Sequence, residues 1–226
     1  MDWKGSKYWM VSCMDALINR QIQQISEFRA SCYWFFSTLY ANELDDDALL
    51  SLAQGANRDR LIKLSETPSL ALNSRRLQRN LDQLMGLECP TETLKNEYAE
   101  LFLMENSKGA PPYASVYQSH ERRLFQDPHF EMLQRLKDIG LPAIEGCNEP
   151  ADHLAIQLDY LGNAVIQAIH SHAYESSRLQ KSFIQNNLLT WLPEFHQQMR
   201  QTHNSDVYQS LTDLLICFLK HDLNSL

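Results

Sequence analysis

The chain has 226 residues, 44% of them hydrophobic, and a formal net charge of −8. That is apolar material for one large domain or two small ones, and the wrong sign for a nucleic-acid binder, which needs a basic face to displace counterions from phosphates. Seven glycines are under half the usual ~7%, and no long stretch alternates as a half-buried strand does, so the expected fold class is all-α, with a cationic partner suiting the charge.

Residues 1–20 read as an N-terminal extension. Lys4 and Lys7 ahead of Tyr8–Cys13 faintly resemble a signal sequence with a lipidated cysteine, but the apolar run is too short and Asp15 interrupts it. The segment is expected to be cytoplasmic and partly disordered, with Met10 and Met14 as alternative starts. The five cysteines, Cys13, Cys32, Cys89, Cys147 and Cys217, contain no C-x-x-C pair and are odd in number, so neither a zinc site nor a secreted disulfide framework is suggested. No apolar run is long enough to span a membrane.

The first secure helix is expected over about Gln21–Ala41, with Ile22, Ile25, Phe28, Cys32, Phe36 and Leu39 as its core stripe and Tyr33, Trp34 and Phe35 widening it. Asp45, Asp46 and Asp47 then open a helix, acids in a first turn as the helix dipole prefers. Helices near Asn57–Ser65 and Ser69–Met85 follow, the second carrying Leu77, Leu81 and Leu84 inward and Arg75, Arg76 and Arg79 outward, a face read mainly as solvation. After Cys89-Pro90 a helix is expected through Glu105, with Leu94, Tyr98, Leu101 and Phe102 inside.

Ser107–Tyr117 contains Gly109, Pro111 and Pro112 and is read as a loop, yet its two tyrosines and Val116 suggest that it packs against something. Asp127-Pro128 opens a helix in cap-then-proline order, with Leu133 and Leu136 inward and Gly140 at its end. Leu141–Asn148 is the best candidate for a domain boundary, giving an N-terminal domain over 21–143, a hinge over 144–150 with Gly146 and Pro150, and a C-terminal domain over 151–226.

Glu149-Pro150-Ala151-Asp152-His153 stands at the mouth of the cleanest amphipathic helix. Pro150 prevents a helix from running straight through, and Leu154, Leu158, Leu161, Val165 and Ile169 then recur at spacings of three and four. Asp152 reads equally as a cap for this helix or as a binding group, and His153, one residue on, points about 100° away round the helix, so the two do not form a chelating pair. Further helices are expected at Ser177–Asn187, Thr190–Gln201 and Ser205–Leu223, the last with Tyr208, Leu211, Leu215 and Phe218 on one stripe.

The phosphate-loop, dinucleotide, nucleophile-elbow and H-E-x-x-H spacings are all missing from the sequence. An all-helical metal-dependent hydrolase is the alternative to a binding protein, but its His-Asp dipeptide occurs only as His221-Asp222 at the extreme C-terminus, and the other histidines show no converging spacing. A generic helical adaptor is a third, lesser reading.

Tyr98-x-x-Leu101-Phe102, Pro111-Pro112-Tyr113-Ala114-Ser115-Val116-Tyr117 and Glu149-Pro150-Ala151-Asp152-His153, in this order across roughly residues 20–225, resemble the TorD/DmsD/NarJ family of redox-enzyme maturation chaperones. The overall look is nearest the branch that serves trimethylamine N-oxide reductase. The resemblance implies a cytoplasmic non-enzyme that binds an apo-molybdoenzyme at its twin-arginine signal peptide and on its body and assists molybdenum cofactor insertion. It implies no bound cofactor beyond weak guanine-nucleotide binding in some members, which the lack of a phosphate loop supports poorly. Paired arginines beside an apolar segment ask for carboxylates beside a hydrophobic groove. Glu149, Asp152 and His153, with Tyr113, Ser115 and Tyr117 of the apolar loop, are the expected client-binding residues. The short connection at 144–150 further suggests a monomer alongside a domain-swapped dimer.

Overall fold

The computed structural model describes residues 3–104, 109–141, 149–171, 174–202 and 205–226. Among these, helices account for every named element; the nearest approach to a strand is a single antiparallel bridge between Tyr113 and His153. The fold is all-α.

Helix α1 runs from Trp3 to Ala41, so the helix expected from Gln21 is the second half of a longer one. Asp45 caps α2 (Asp46–Gln54), its carboxylate accepting from the Ala48 N–H at 2.8 Å, which satisfies one of the donors a helix start leaves unpaired. Next come α3 (Ala56–Ser65), α4 (Ala71–Met85) and α5 (Pro90–Tyr98), which widens into a π turn over Ala99–Leu103. In the stretch read as a loop, Ala114–Gln118 forms a short helix, α6. The two prolines stop just ahead of it, so nothing in Ala114–Gln118 itself opposes helix.

Helix α7 (Asp127–Asp138) places proline in its first turn and is followed by Gly140 at φ +73°, a left-handed residue of the kind that commonly ends helices. Then come α8 (Leu154–Ser171), α9 (Tyr174–Phe183) with a second π turn over Ile184–Leu188, α10 (Leu192–Thr202) and α11 (Asp206–Ser225).

Helices α1 and α8 lie side by side and antiparallel: Ser37 Oγ donates to the Ala155 carbonyl at 2.8 Å, and further along Trp34 donates to the Asp159 carboxylate. A Cβ at Gly162 would stand 2.5 Å from Trp34 Nε1, so the close approach requires glycine there. Helix α11 packs on α4, where Asp213 pairs with Arg76 at 3.2 Å, and on α1, where Phe218 meets Tyr33 edge-on with centroids 5.2 Å apart. One buried cluster extends from Ala30 to Leu219, so residues 21–143 and 151–226 share a core. The connection between them, 142–148 with Gly146, lies outside the described residues, while Pro150 is buried.

The stripes expected on α8 and α11 are buried but for one position: Leu154, Leu158, Leu161 and Val165 are all at most 1% exposed and Tyr208, Leu211, Leu215 and Phe218 at most 3%, while Ile169 is only partly buried. On α1 the expected stripe extends too far. Ile22 and Ile25 are 56% and 61% exposed and Trp34 is 36% exposed, whereas Cys32 and Phe36 are fully covered. Coverage begins near Arg29, at the level of Asp222 in the last turn of α11.

That level is held by a charged cluster. Arg29 grips Asp222 in two places, Nε to Oδ1 at 2.5 Å and Nη2 to Oδ2 at 2.8 Å, and Tyr33 Oη donates to Oδ2 at 2.6 Å. Arg29 Nη2 also donates to Gln180 on α9 at 3.1 Å. Burial, reinforced by the Asp222 charge, pushes the Tyr33 phenol well above its ordinary range, so it stays a donor. Removing one partner of such a buried pair costs about 3–5 kcal/mol, because the other charge is stranded. Asp222→Ala is therefore expected to lower unfolding stability in urea by that amount, and Arg29→Leu/Asp222→Leu by clearly less; equal losses would mean that Arg29 finds solvent once released.

Candidate functional site

Two short segments far apart in sequence are tied together at the mouth of α8. Pro112 offers its carbonyl to the Leu154 N–H at 2.8 Å, and the Asp152 carbonyl accepts from the Ala114 N–H at 3.2 Å. Between these bonds the Tyr113 and His153 rings meet edge-on, centroids 4.9 Å apart.

Asp152 is 1% exposed, and its Oδ2 accepts from the Ser115 N–H at 2.6 Å. It therefore caps α6 and not α8: the residue before α6 is Tyr113, which makes no side-chain cap bond, and the carboxylate reaches in from another element to satisfy the buried donor. Ser115 is equally interior, its Oγ accepting from the Gln126 N–H at 3.2 Å. Tyr117 lies half-buried with its ring stacked on Trp191 at 5.6 Å, and burial drives its phenol far above the ordinary range.

His153 Nδ1 accepts from the Ala155 N–H at 3.1 Å, which puts the proton of the neutral ring on Nε2. Burial lowers its pKa from the ordinary 6.5 to about 4. His129 plays a similar part, its Nδ1 accepting from the Ala151 N–H at 2.9 Å.

Over this tie opens a groove of about 380 Å³, bounded by the α1–α2 connection at Glu43, the end of α5 and its π turn at Tyr98, Phe102 and Leu103, and by Tyr113, Glu149 and His153. The aromatic floor is fixed from both sides: Tyr98 Oη donates to the Tyr40 carbonyl at 3.1 Å, and the Tyr98 and Phe102 rings meet edge-on at 4.9 Å. Behind the floor, the Leu101 carbonyl in the π turn accepts from the Ala110 N–H at 2.5 Å. A Cβ at Gly109 would come within 2.9 Å of that carbonyl, so this is a backbone approach that needs glycine.

Glu43 and Glu149 are both exposed at the rim, and their charge is felt inside. The Tyr98 phenol is pushed up to about 12, by burial first and then by Glu149 and Glu43. Tyr113 is raised further by burial and by donating its hydroxyl to Glu149. Leu103 and the adjoining Met104 extend the rim as apolar surface, 64% and 50% exposed.

Of the residues expected from sequence, Tyr113, Glu149 and His153 line the groove; Asp152 and Ser115 lie behind it bonded to each other, and Tyr117 faces Trp191. Glu43, Tyr98, Phe102 and Leu103 line the groove as well, beside Ala41, Asn42 and Pro112. Tyr98 and Phe102 are legible in the sequence as inward-facing and as part of a family motif but not as groove residues, and Glu43 carries no signal beyond being an acid in a short connection.

The arrangement suits recognition of a cation. Two carboxylates around aromatic rings can hold a guanidinium by charge-assisted hydrogen bonds and ring-face attraction, and the apolar rim can take a following hydrophobic segment. Among the described residues, the imidazole that lines the groove is that of His153, whose Nδ1 is committed to backbone. At the opposite end of the fold, the Asp222 oxygens of the His221-Asp222 dipeptide are engaged by Arg29 and Tyr33. Among the described residues no group of three or more His, Cys, Asp or Glu side chains converges as metal ligands, and no helix is long and apolar enough to cross a membrane.

The sequence profile of the family described as nitrate reductase delta subunit matches residues 67–197. Chaperone protein TorD of Vibrio parahaemolyticus is 36% identical over 207 residues, covering 90% of this chain and 96% of that protein. Its counterpart from Ferrimonas balearica is 36% identical over 211 residues, covering 92% and 94%. Among solved structures, an Archaeoglobus fulgidus protein assigned to redox enzyme maturation superposes with a TM-score of 0.52 at 17% identity, over 83% of this chain and 93% of that one; at this identity the likeness concerns the fold alone.

The tie behind the groove makes two expectations. Asp152→Ala leaves the Ser115 N–H buried and unpaired, costing about 1–3 kcal/mol, seen as a lower urea midpoint with the helical circular dichroism intact. His153 binds its proton more readily unfolded (near 6.5) than folded (about 4), so stability must fall as pH drops through that window. The native chain should lose stability between those pH values more steeply than His153→Gln; parallel curves would remove His153 as the source.

Proposed function

This chain belongs to the nitrate reductase delta subunit family, the TorD/NarJ family of chaperones, and from that premise we propose that it is a non-enzymatic maturation chaperone for a molybdoenzyme. Its client is trimethylamine N-oxide reductase, bound in the cytoplasm through the twin-arginine signal peptide while molybdenum cofactor is inserted. What supports the client class is the naming of the relatives over nearly their whole length. What supports the peptide site is the groove itself, with acid at Glu43 and Glu149, aromatic floor at Tyr98 and Phe102, and exposed Leu103 and Met104 beside them.

In this reading Glu149 and Glu43 take the paired guanidinium groups, Tyr98 and Tyr113 supply ring faces, and the apolar segment after the arginines lies on Leu103 and Met104. Asp152 and Ser115 act from behind the groove, and His153 from its wall, by holding Tyr113 in place. The division separates binding from stability: rim substitutions should weaken the peptide without touching the fold.

Calorimetric titration with a synthetic twin-arginine signal peptide tests this. Glu43→Gln and Glu149→Gln should each cost about 1 kcal/mol, about fivefold in Kd, with the double variant weaker than either and all three unfolding like the native chain. Replacing the peptide's paired arginines by lysines should weaken binding, since lysine cannot make the bidentate contact, and added salt should weaken it further. Undiminished affinity in the double variant would move the peptide to another surface.

A further inference from the structure

Asp213, on the outer face of α11, is gripped from both sides. Arg76 of α4 reaches its Oδ2 at 3.2 Å, and Arg200 of α10 reaches Oδ1 at 3.1 Å and Oδ2 at 3.4 Å, so two guanidiniums converge on one carboxylate oxygen. His196, also from α10 and only 8% exposed, turns Nε2 toward Oδ1 at 3.5 Å, with no hydrogen-bond partner for that nitrogen. Burial before all else lowers the His196 pKa, so the ring adds no charge near neutrality.

The surroundings do not balance this excess of positive charge. A guanidinium carries five donors, and most of those on Arg76 and Arg200 are left over: the two side chains are 42% and 52% exposed, against 19% for Asp213. Arg79, three residues after Arg76, is its neighbour on the helix surface, and Lys220 lies two turns beyond Asp213 on the same face of α11. Both are exposed, and neither has a carboxylate in ion-pair reach among the described residues. Asp82, one turn beyond Arg79, is committed to Arg58 at 2.9 and 3.0 Å. Arg76, Arg79, Arg200 and Lys220 therefore face only Asp206 and Asp213, a local positive excess in a chain of net charge −8.

We propose that Arg76, Arg79 and Arg200 form a docking site for an acidic segment of a partner protein. One carboxylate of the segment bridges Arg76 and Arg200 from the solvent side, opposite Asp213, and a neighbouring one pairs with Arg79, while Lys220 adds charge at the edge. A guanidinium fork matches a carboxylate in two places. Asp213 already fixes two of the three forks, so less side-chain freedom remains to be lost on binding. The charge of the whole chain limits the size of the ligand: a long polyanion such as nucleic acid would run onto the acidic remainder of the surface and be repelled, whereas a few adjacent carboxylates span only the basic patch. The site shares no residue with the Glu43–Glu149 groove and takes ligands of the opposite charge.

Fluorescence anisotropy of a labelled glutamate-rich peptide, titrated with the full chain at low ionic strength, tests this. The native chain should bind the peptide, and added salt should weaken the complex. Arg79→Gln and Arg200→Gln should each weaken binding about fivefold. Arg79 has no hydrogen bond or ion pair among the described residues, so its replacement leaves the fold alone. Arg200→Lys should recover only part of the loss, since the charge returns without the fork. Arg123→Gln, which removes a 76% exposed arginine side chain from the connection between α6 and α7, should bind like the native chain. A native chain that does not bind the peptide would overturn the proposal. So would equal losses in Arg123→Gln and Arg79→Gln, the mark of unspecific attraction, or full displacement by inorganic phosphate at the peptide's own concentration, the mark of a site for a single oxyanion.

Discussion

Backbone groups buried at the mouth of α8 have to be paired, and the way they are paired organises the candidate site. Pro112 and Leu154, Ala114 and Asp152, and Ser115 with the Asp152 carboxylate close a short reciprocal tie between two segments that neither helix nor sheet could otherwise satisfy. Proline serves here by subtraction: Pro111 and Pro112 have no N–H to bury, so their stretch can lie inside the protein with only carbonyls to satisfy. Because the tie is built of backbone bonds and one carboxylate, it fixes the direction of Tyr113 and the position of Glu149 without itself reaching solvent.

The second constraint is the Arg29–Asp222 cluster, which joins α1, α9 and α11 about three turns before α1 ends. Between the two ties α1 is packed by large aromatics, and ahead of Arg29 its Ile22 and Ile25 are exposed. The groove at Glu43 lies just beyond the C-terminal turn of α1, and the exposed Ile22 and Ile25 lie near the middle of the helix, just before its covered part begins.

The helices of α8 and α11 were legible in the sequence because periodicity is a property of a single segment: Leu154, Leu158, Leu161 and Val165 declare their face with no knowledge of what they touch. The over-extension of the α1 stripe to Ile22 and Ile25 shows the limit of that signal, since period reveals which residues share a face and not whether another element covers it. Asp152 shows the same limit for caps. Local rules assign a carboxylate to the helix that follows it, but this one serves α6, a partner chosen by tertiary packing. Glu43 was invisible for a further reason: its relevance arises only when the end of α1 is brought beside Tyr98 and Glu149.

The bond from Tyr113 to Glu149 has a bearing on selectivity. In the free protein one of the rim carboxylates already has a ligand, supplied by the chain itself. An incoming group has to compete with a phenol that is held in place and costs no association entropy, so weak donors such as a hydroxyl or a lone amide gain little from the exchange. A guanidinium, with several donors in one plane and a full charge, can outbid the phenol or share the carboxylate with it. In the proposed role as a peptide site, the groove would reject casual occupants at some expense in affinity for the right one, which suits a chaperone that has to let its client go.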